Sequence, residues 1–226
     1  EVFETPGHTP GALSILDHAP EPEGEFTTDR PSDLITASAI ISGFARLLAE
    51  KLAARRGYDR EKINEIYHIA LVHDIGKINI PDAILNKGAS LNDEEFEIMK
   101  KHAEVGEKLL EDVKIGPNLA IGAGYHHERL DGKGYPRQLK GQEIPEIARL
   151  IAVADTFDAM YSTRPYRKQM LLEDVLDEIR RVKDTQLEGE VVDALIELAE
   201  ENKLDKETVD AYVRDNVYGK KNEATE

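Results

Sequence analysis

Apolar residues recur at steps of three and four positions along most of the chain from residue 33 onward. This spacing is typical of amphipathic helices whose apolar stripe faces a core. Asn92 and Glu95 have the spacing of a capping box, which predicts the start of a helix at that point. The predicted helices are 33–57, 59–77, from 92 through at least 109, 117–125, from 145 through at least 154, 171–183, 189–202 and 205–216.

The segment 147–154 is apolar on nearly every side, which is the pattern of a helix at the centre of a bundle. No series of alternating apolar and polar positions predicts a sheet, and no glycine-rich phosphate loop is present in the sequence. The predicted fold class is therefore all-α.

Two segments differ from this helical pattern. Residues 1–32 are rich in proline and glycine and are predicted to be an N-terminal segment or linker. Residues 128–144, called the signature loop below, are rich in Gly, Lys and Arg and contain Pro136. The predicted division is a linker at 1–32, one domain at 33–204, and a C-terminal helix with a polar tail at 205–226.

Composition limits the classes of partner. The 226 residues carry a formal net charge of −16, so we expect no binding to duplex nucleic acid and no membrane contact by this segment. An anionic ligand would need a local exception to that charge. The chain has no cysteine, which excludes thiolate metal ligands and agrees with a cytoplasmic location. No apolar run approaches the ~20 residues that span a bilayer.

Several ionisable residues lie on helix faces that periodicity predicts to be buried. For one buried histidine, a hydrogen-bonded core residue is the simpler interpretation, and Asp155 alone could cap a helix or pair with an arginine. Separate helices that each present His or Asp inward favour a metal site instead, because an unpaired buried carboxylate costs several kcal/mol. The candidates are His73, Asp74, His102, His126, His127 and Asp155.

This ligand set contains nitrogen and oxygen donors and no sulfur. It suits Fe or Mn, and Zn would also bind. Six ligands exceed what one ion with an open position takes from protein, so two divalent transition-metal ions are predicted. Asp74, whose neighbours in the sequence are committed to the site, is the expected bridge.

Two sequence motifs point to a family. One is His73-Asp-Ile-Gly-Lys-Ile78, and the other is His126-His-Glu-Arg-Leu-Asp-Gly-Lys-Gly-Tyr-Pro136. Both resemble the HD-GYP family, cyclic di-GMP phosphodiesterases within the HD phosphohydrolases. Further segments follow in family order: Leu85-Asn-Lys-Gly88, Met99-Lys-Lys-His102, Ile151-Ala-Val-Ala-Asp155 and Arg164-Pro-Tyr-Arg167. The resemblance implies an HD-type helical bundle with a long signature loop between helices.

The resemblance also implies residue roles. His73, Asp74 and Asp155 resemble the ligands of a first metal, and Asp74, His102, His126 and His127 those of a second. Asp74 and Lys77 are the implied catalytic residues, and Glu128 or a water could assist proton transfer. The implied substrate-binding residues are Lys77, Asp131, Gly134, Tyr135, Pro136, Arg164 and Arg167.

Some of these roles have simpler alternatives. Lys77 alone would be interpreted as a solvated charge at a helix end, and Gly134 alone as part of an ordinary turn. Arg164 and Arg167 alone would be interpreted as members of surface ion pairs with acidic residues.

One departure from the family pattern concerns the first helix. The family's first-metal histidine on that helix aligns with Ala37. Asp33, one turn earlier, could reach inward in its place. His68 is not a substitute, because five residues before His73 places it about 140° around the helix.

The predicted function is metal-dependent hydrolysis of cyclic di-GMP to linear pGpG, GMP or both, in bacterial second-messenger signalling. The alternative is a degenerate HD-GYP module that binds nucleotide or a partner protein with little turnover, because Ala37 replaces a ligand. Hydrolysis of another cyclic dinucleotide is a third interpretation. The sequence is compatible with a homodimer and with a sensory or regulatory domain upstream of this segment.

Overall fold

The computed structural model describes residues 43–85, 87–113, 118–161, 170–201 and 204, and this part contains helices and no strand. The all-α prediction is confirmed. The α-helices are α1 (Gly43–Arg55), α2 (Arg60–Val72), α3 (Asp82–Leu85), α4 (Asp93–Glu111), α5 (Leu119–Tyr125), α6 (Glu146–Tyr161), α7 (Leu172–Val182) and α8 (Gly189–Glu200). Two short 3₁₀-helices cover Ile75–Asn79 and Gly141–Glu143.

The centre of the bundle is α6. Of its 16 residues 13 are buried, and α1, α5, α7 and α8 all pack against it. Phe157 is fully buried and stacks on Phe44 of α1, with ring centroids 5.8 Å apart. The prediction of a central helix from the apolar run 147–154 is confirmed, and this position carries Asp155 into the interior.

The prediction of one helix over 59–77 is wrong at its end. Asp59 caps α2 by accepting a hydrogen bond from the backbone N of Lys62, and α2 then ends at Val72. His73 and Asp74 form a turn, and the chain continues as the 3₁₀-helix Ile75–Asn79. The physical reason is tertiary, because this 3₁₀-helix packs directly against α4.

The capping box predicted at Asn92 is confirmed. Its side chain accepts from the backbone N of Glu95, while the Glu95 carboxylate accepts from the backbone N of Asn92. The helix α4 that starts there packs along α5 and the 3₁₀-helix Ile75–Asn79. It therefore carries His102 to the segment that holds His73 and Asp74.

The signature loop joins α5 to α6 and contains one 3₁₀-turn and an isolated bridge between Asp131 and Lys140. Arg149, which is buried, fixes the start of α6: its Nη1 donates to the Ile144 carbonyl at 2.5 Å and its Nε to Glu188 at 2.9 Å. Because Glu188 precedes α8, this contact ties the end of the loop to the turn between α7 and α8.

Candidate metal centre

His73 and Asp74 reach the interior because Gly76 allows the backbone to approach α4 very closely. A Cβ added at Gly76 would lie 1.9 Å from the backbone O of His102 and 2.5 Å from the backbone N of Gly106. Only a residue without a side chain fits this contact. The close approach sets the spacing between the two motifs that carry His73 and His102.

Three buried imidazoles have the same hydrogen-bond arrangement. In each, Nδ1 lies within hydrogen-bond distance of a backbone carbonyl, which can only accept, so Nδ1 carries a proton and Nε2 is the nitrogen left to bind a metal ion. The donor–acceptor pairs are His73 to Ala70 at 2.6 Å, His102 to Met99 at 2.7 Å, and His126 to Gly122 at 2.8 Å.

The three Nε2 atoms point at carboxylate oxygens. His73 Nε2 lies 3.4 Å from Asp74 Oδ2 and 3.6 Å from Asp155 Oδ1. On the other side of Asp74, Oδ1 lies 3.5 Å from His102 Nε2 and 3.7 Å from His126 Nε2. Asp74 thus turns one oxygen toward each set of imidazoles, which is the arrangement expected of a bridging carboxylate.

The ligand atoms form two overlapping groups. In each group every ligand atom lies within 4.8 Å of the others, and all six residues are buried. One group is Asp74, His102, His126 and His127, the same four residues that the family resemblance implies for the second metal. The other is His73, His126 and Asp155, which differs from the implied first set by His126 in place of Asp74.

The surroundings and the pKa of His73 indicate whether the cluster can accommodate a metal cation. His73 Nε2 is buried and has no hydrogen-bond partner in the described part of the chain. Burial lowers the pKa of His73, but Asp74 and Asp155 raise it more, to about 9. The position between these carboxylates therefore favours positive charge. A divalent metal ion supplies that charge, and the buried His/Asp cluster fits such ions.

Lys77 is not the solvated charge that its position alone suggests. It is 3% exposed, and its Nζ donates to Asp74 Oδ2 at 2.6 Å. The 3₁₀-helix turns Lys77 inward, beside the residue expected to bridge the ions. Contact with a substrate phosphate stays a prediction.

Glu128 holds the signature loop. It is 3% exposed, and its two carboxylate oxygens accept from the backbone N of Arg137 at 2.6 Å and of Leu139 at 2.9 Å. Both oxygens already accept hydrogen bonds within the loop, and the expected assistance of Glu128 in proton transfer stays a prediction. The carboxylate is a structural acceptor.

Gly134 and Tyr135 bring the loop against the histidines. A Cβ added at Gly134 would lie 2.4 Å from the backbone N of Arg129, so a close backbone contact, and not an ordinary turn, requires glycine here. The next residue, Tyr135, stacks on His127 with ring centroids 4.6 Å apart. Burial raises the pKa of Tyr135 well above its usual value, with Asp155 and Asp74 adding to the effect, so its hydroxyl stays protonated.

Pro136 and Asp131 occupy different positions in the loop. Pro136 follows Tyr135 through a cis peptide bond and lines the cavity described below. Asp131 accepts from Arg129 Nε at 3.1 Å, from Arg129 Nη2 at 2.7 Å and from the backbone N of Lys133 at 3.0 Å. Its carboxylate shapes the loop, and its predicted contact with substrate stays a prediction.

A cavity of about 550 Å³ opens beside the histidine cluster. His126, His127 and Asp155 form part of its wall, so a ligand in the cavity reaches the candidate metal centre. Tyr135 and Pro136 form another part of the wall. This volume lies within the range of small-molecule sites in proteins.

The cavity wall also contains polar residues to which the sequence analysis assigned no role: Lys100, Lys101, Arg129, Lys133 and Gln186. Lys101, Arg129 and Lys133 each adjoin a residue with a predicted role, and Lys100 lies two positions before His102, so their position within the motifs was a usable signal. Gln186 comes from the turn between α7 and α8, where no motif marks it.

Some predicted residues lie outside the described part of the chain. Arg164 and Arg167 are among them, as are Asp33 and Ala37 of the predicted first helix. The segments 1–32 and 205–226 also lie outside it. His68 is described: it is exposed, its Nδ1 donates to the Asn64 carbonyl at 2.7 Å, and it is not part of either ligand group.

With this geometry established, comparisons with known proteins identify the family. A family model described as an HD domain matches residues 25–191, and the chain belongs to this family.

Two curated relatives extend the match. A cyclic di-GMP phosphodiesterase of Thermotoga maritima is 44% identical over 171 residues, which are 74% of this chain and 45% of the relative. The 3'3'-cGAMP-specific phosphodiesterase 1 of Vibrio cholerae is 39% identical over 150 residues, 66% of this chain and 35% of the relative. The chain thus spans less than half the length of these relatives.

Solved structures share the fold. Bd1817, an HDG"Y"P protein of Bdellovibrio bacteriovorus, matches with a TM-score of 0.60 at 20% identity over 75% of this chain and 54% of that chain. A cyclic GMP-AMP phosphodiesterase of Vibrio cholerae, V-cGAP3, matches with a TM-score of 0.57 at 16% identity, over 79% and 51%. The resemblance to HD-GYP proteins that the motifs indicate is confirmed.

None of the helices in the described residues is long and apolar enough to cross a bilayer.

Proposed function

We propose that the chain is a metal-dependent phosphodiesterase that hydrolyses cyclic di-GMP to linear pGpG, GMP or both, in bacterial signalling. The observation that carries the proposal is the position of Asp74. Its two oxygens face separate imidazoles, within a ligand cluster whose His126, His127 and Asp155 line a cavity large enough for a small ligand. The HD-domain match and the names of the relatives support the same reaction class.

Six residues would hold two divalent ions, Fe or Mn. His73, Asp74 and Asp155 would hold the first, and Asp74, His102, His126 and His127 the second. When bound, such ions withdraw charge from a phosphate and make a coordinated water more acidic. The Nδ1 hydrogen bonds of the three histidines would keep their Nε2 atoms aimed inward during this chemistry.

The remaining side chains bind and orient the substrate. Lys77, which donates to Asp74, lies where a second donor hydrogen could meet a phosphate oxygen. Tyr135 and Pro136 form a wall against which a nucleobase or ribose can pack. Arg164 and Arg167 are proposed as further contacts to the ligand, on the resemblance alone.

A substrate assay combined with metal analysis tests the proposal. The chain is reconstituted anaerobically with Fe or Mn and given cyclic di-GMP, and the products are separated by chromatography. We expect linear pGpG or GMP and about two ions per chain. 3'3'-cGAMP is assayed in parallel, because one relative is named for that substrate.

A matched pair of variants makes the assay specific. His102→Ala should lower the metal content and abolish turnover, whereas His68→Ala removes an exposed imidazole outside the cluster and should change neither. Equal metal content and equal turnover in both variants would refute the proposed site.

The alternative is a degenerate module that binds nucleotide without turnover, and Ala37 favours it. If the first metal lacks one ligand, Ala37→His should raise metal occupancy and increase turnover about tenfold, which corresponds to about 1.4 kcal/mol in the barrier. Binding of cyclic di-GMP without hydrolysis, in both the parent chain and this variant, would favour the alternative.

A further inference from the structure

The cavity extends beyond the candidate metal centre, and its outer part has a charge pattern of its own. Lys100 and Lys101 come from α4, and Arg129 and Lys133 come from the signature loop. The whole chain has a net charge of −16, whereas the cavity wall has as many Lys and Arg side chains as carboxylates, four of each, so the wall is a local exception to the acidic character of the chain. Such an exception is what an acidic protein needs in order to hold an anion.

Two of these cations already have anionic partners. Lys100 forms an ion pair with Glu97 and lies 5.2 Å from the ring centroid of Phe96. Arg129 pairs with Asp131 at 2.7 Å. Their charges are largely offset within the protein.

Lys101 and Lys133 differ from Lys100 and Arg129 in their surroundings. Both are exposed, and neither ammonium group lies within 4 Å of a carboxylate oxygen of another described residue. The backbone N of Lys133 donates to Asp131, which fixes the start of its side chain, and the Lys133 charge helps to lower the pKa of that carboxylate, which is itself paired with Arg129. These two ammonium groups belong to different walls of the cavity, one on α4 and one on the signature loop.

The carboxylates of the cavity wall must be counted as well. Glu97 is paired with Lys100, Glu128 accepts backbone hydrogen bonds, and Asp155 faces His73. Among the described wall residues this leaves Glu104, which is exposed on α4 one turn after Lys101. Lys101 and Lys133 therefore outnumber the remaining carboxylate, and Glu104 opposes them.

We propose that Lys101 and Lys133 form a subsite for a second phosphate group of the substrate. This inference rests on the proposed function. A cyclic dinucleotide has two phosphodiester groups, and only the one being cleaved can lie at the metal ions. The second phosphate carries a full negative charge that must be held elsewhere in the cavity, and two available ammonium groups match it. After the first cleavage the same groups would hold the phosphate-bearing linear product.

Binding of a hydrolysis-resistant phosphorothioate analogue of cyclic di-GMP tests the subsite. The affinity of the metal-reconstituted chain is measured by calorimetry at low and at moderate salt. Lys101→Gln and Lys133→Gln should each weaken binding about three- to tenfold at low salt, because each removes one charge-assisted contact. Glu104→Gln should strengthen binding, because it removes the opposing charge.

Lys108→Gln is the matched control. Lys108 is exposed on the same helix two turns after Lys101, on the same face, and is not part of the cavity wall. Lys108→Gln changes the net charge by the same amount as the other lysine variants and should leave the affinity for the analogue unchanged. Equal affinity in all variants, or an equal loss in Lys108→Gln, would overturn the subsite.

A substrate with one phosphate separates this proposal from the proposed function. Hydrolysis of bis(p-nitrophenyl) phosphate should be the same in the parent chain, Lys101→Gln and Lys133→Gln, because this diester has no second phosphate. If the parent chain hydrolyses it but the variants bind the analogue as tightly as the parent does, the subsite fails and the hydrolase stands. If the parent chain neither hydrolyses the diester nor binds the analogue, the proposed function fails and the subsite fails with it.

Discussion

Lys77 donates from Nζ to Oδ2 of Asp74 at 2.6 Å, and both side chains are buried. The ammonium group therefore lies on the oxygen that also faces His73. In the metal-free chain this contact compensates a buried carboxylate, and on metal binding the same oxygen becomes a candidate ligand. Lys77 therefore affects both the stability of the metal-free fold and the binding of metal ions at Asp74.

Lys77→Met should separate these two effects. Without metal, the loss of one partner of a buried ion pair should lower the free energy of unfolding by about 3–5 kcal/mol. Metal content after reconstitution should not fall, because the ammonium competes with the cation for Asp74. Affinity for the cyclic di-GMP analogue should fall by at least tenfold, as expected when a charge-assisted contact worth about 1.5–3 kcal/mol is lost.

Lys62→Met is the control for stability. Lys62 pairs with Glu65 at 2.8 Å with the same three-residue spacing, but both side chains are partly exposed. Urea unfolding should show a loss below about 1 kcal/mol for this surface pair. Equal losses in Lys62→Met and Lys77→Met would contradict the role of burial, and loss of metal from Lys77→Met would contradict the competition.

Gly76→Ala should damage both the fold and the site. The added methyl group would overlap the backbone O of His102, so the 3₁₀-helix would have to move away from α4. Overpacking of this kind costs about 1–3 kcal/mol or more, and the same movement should lower metal affinity by displacing Asp74 from His102. Urea unfolding and elemental analysis measure the two effects.

Gly88→Ala provides the comparison, because a Cβ added there meets no atom within 4 Å. This change should be neutral or slightly stabilising. A stable, fully metal-loaded Gly76→Ala protein would contradict the close contact.

The part of this structure that could be predicted from sequence is the part that depends on periodicity. The apolar run in α6 predicts a central helix, and Asn92 with Glu95 predicts the start of α4. The inward positions of His73, His102 and Asp155 followed from the same periodicity, because an ionisable residue within an apolar stripe has to lie in the interior. His126 and His127 were added as a pair at a helix end.

The features that the sequence analysis missed depend on contacts between distant segments. The break after Val72 arises where the 3₁₀-helix meets α4, and the local pattern up to Lys77 is compatible with a continuous helix. The local pattern alone is compatible with a solvated Lys77, because it does not reveal the turn that directs this side chain inward. Gln186 reaches the cavity only through the packing of the turn between α7 and α8.

Tyr58 gives a pH-dependent prediction outside the site. Burial raises the pKa of Tyr58, and a hydrogen bond from its hydroxyl to Glu146 adds to the effect, so the pKa is about 12. In the unfolded chain tyrosine ionises near pH 10. Between about pH 10 and 12 the unfolded state therefore loses this proton while the folded state keeps it, and the stabilisation that Tyr58 contributes below pH 10 is lost as the pH rises.

Tyr58→Phe isolates this contribution from the other groups that titrate in alkali. The free energy of unfolding is measured in urea at pH 9 and pH 11 for both proteins. We expect the parent chain to lose more stability than Tyr58→Phe over this interval. Parallel losses in the two proteins would show that the Tyr58 pKa is not raised.

Glu128→Gln tests whether this carboxylate positions the signature loop. Glutamine keeps one acceptor oxygen and places an amide N–H against a backbone N–H, so one of the hydrogen bonds to Arg137 and Leu139 is lost. The cost should be about 1–3 kcal/mol, and hydrogen exchange of these two backbone amides should become faster. Because the loop carries Tyr135 over His127, KM for cyclic di-GMP should rise while metal content stays unchanged.

The pH dependence of turnover distinguishes positioning from proton transfer. If Glu128 only holds the loop, Glu128→Gln should keep the shape of the pH–rate profile, whereas loss of a general acid or base would remove one limb of it. Glu143→Gln is the matched variant, because Glu143 lies in the same loop, is exposed, and accepts from the backbone N of Lys140. It should leave the exchange of the Arg137 and Leu139 amides unaltered. A Glu128→Gln protein with a lost limb and unaltered amide exchange would assign Glu128 to the chemistry instead of the loop.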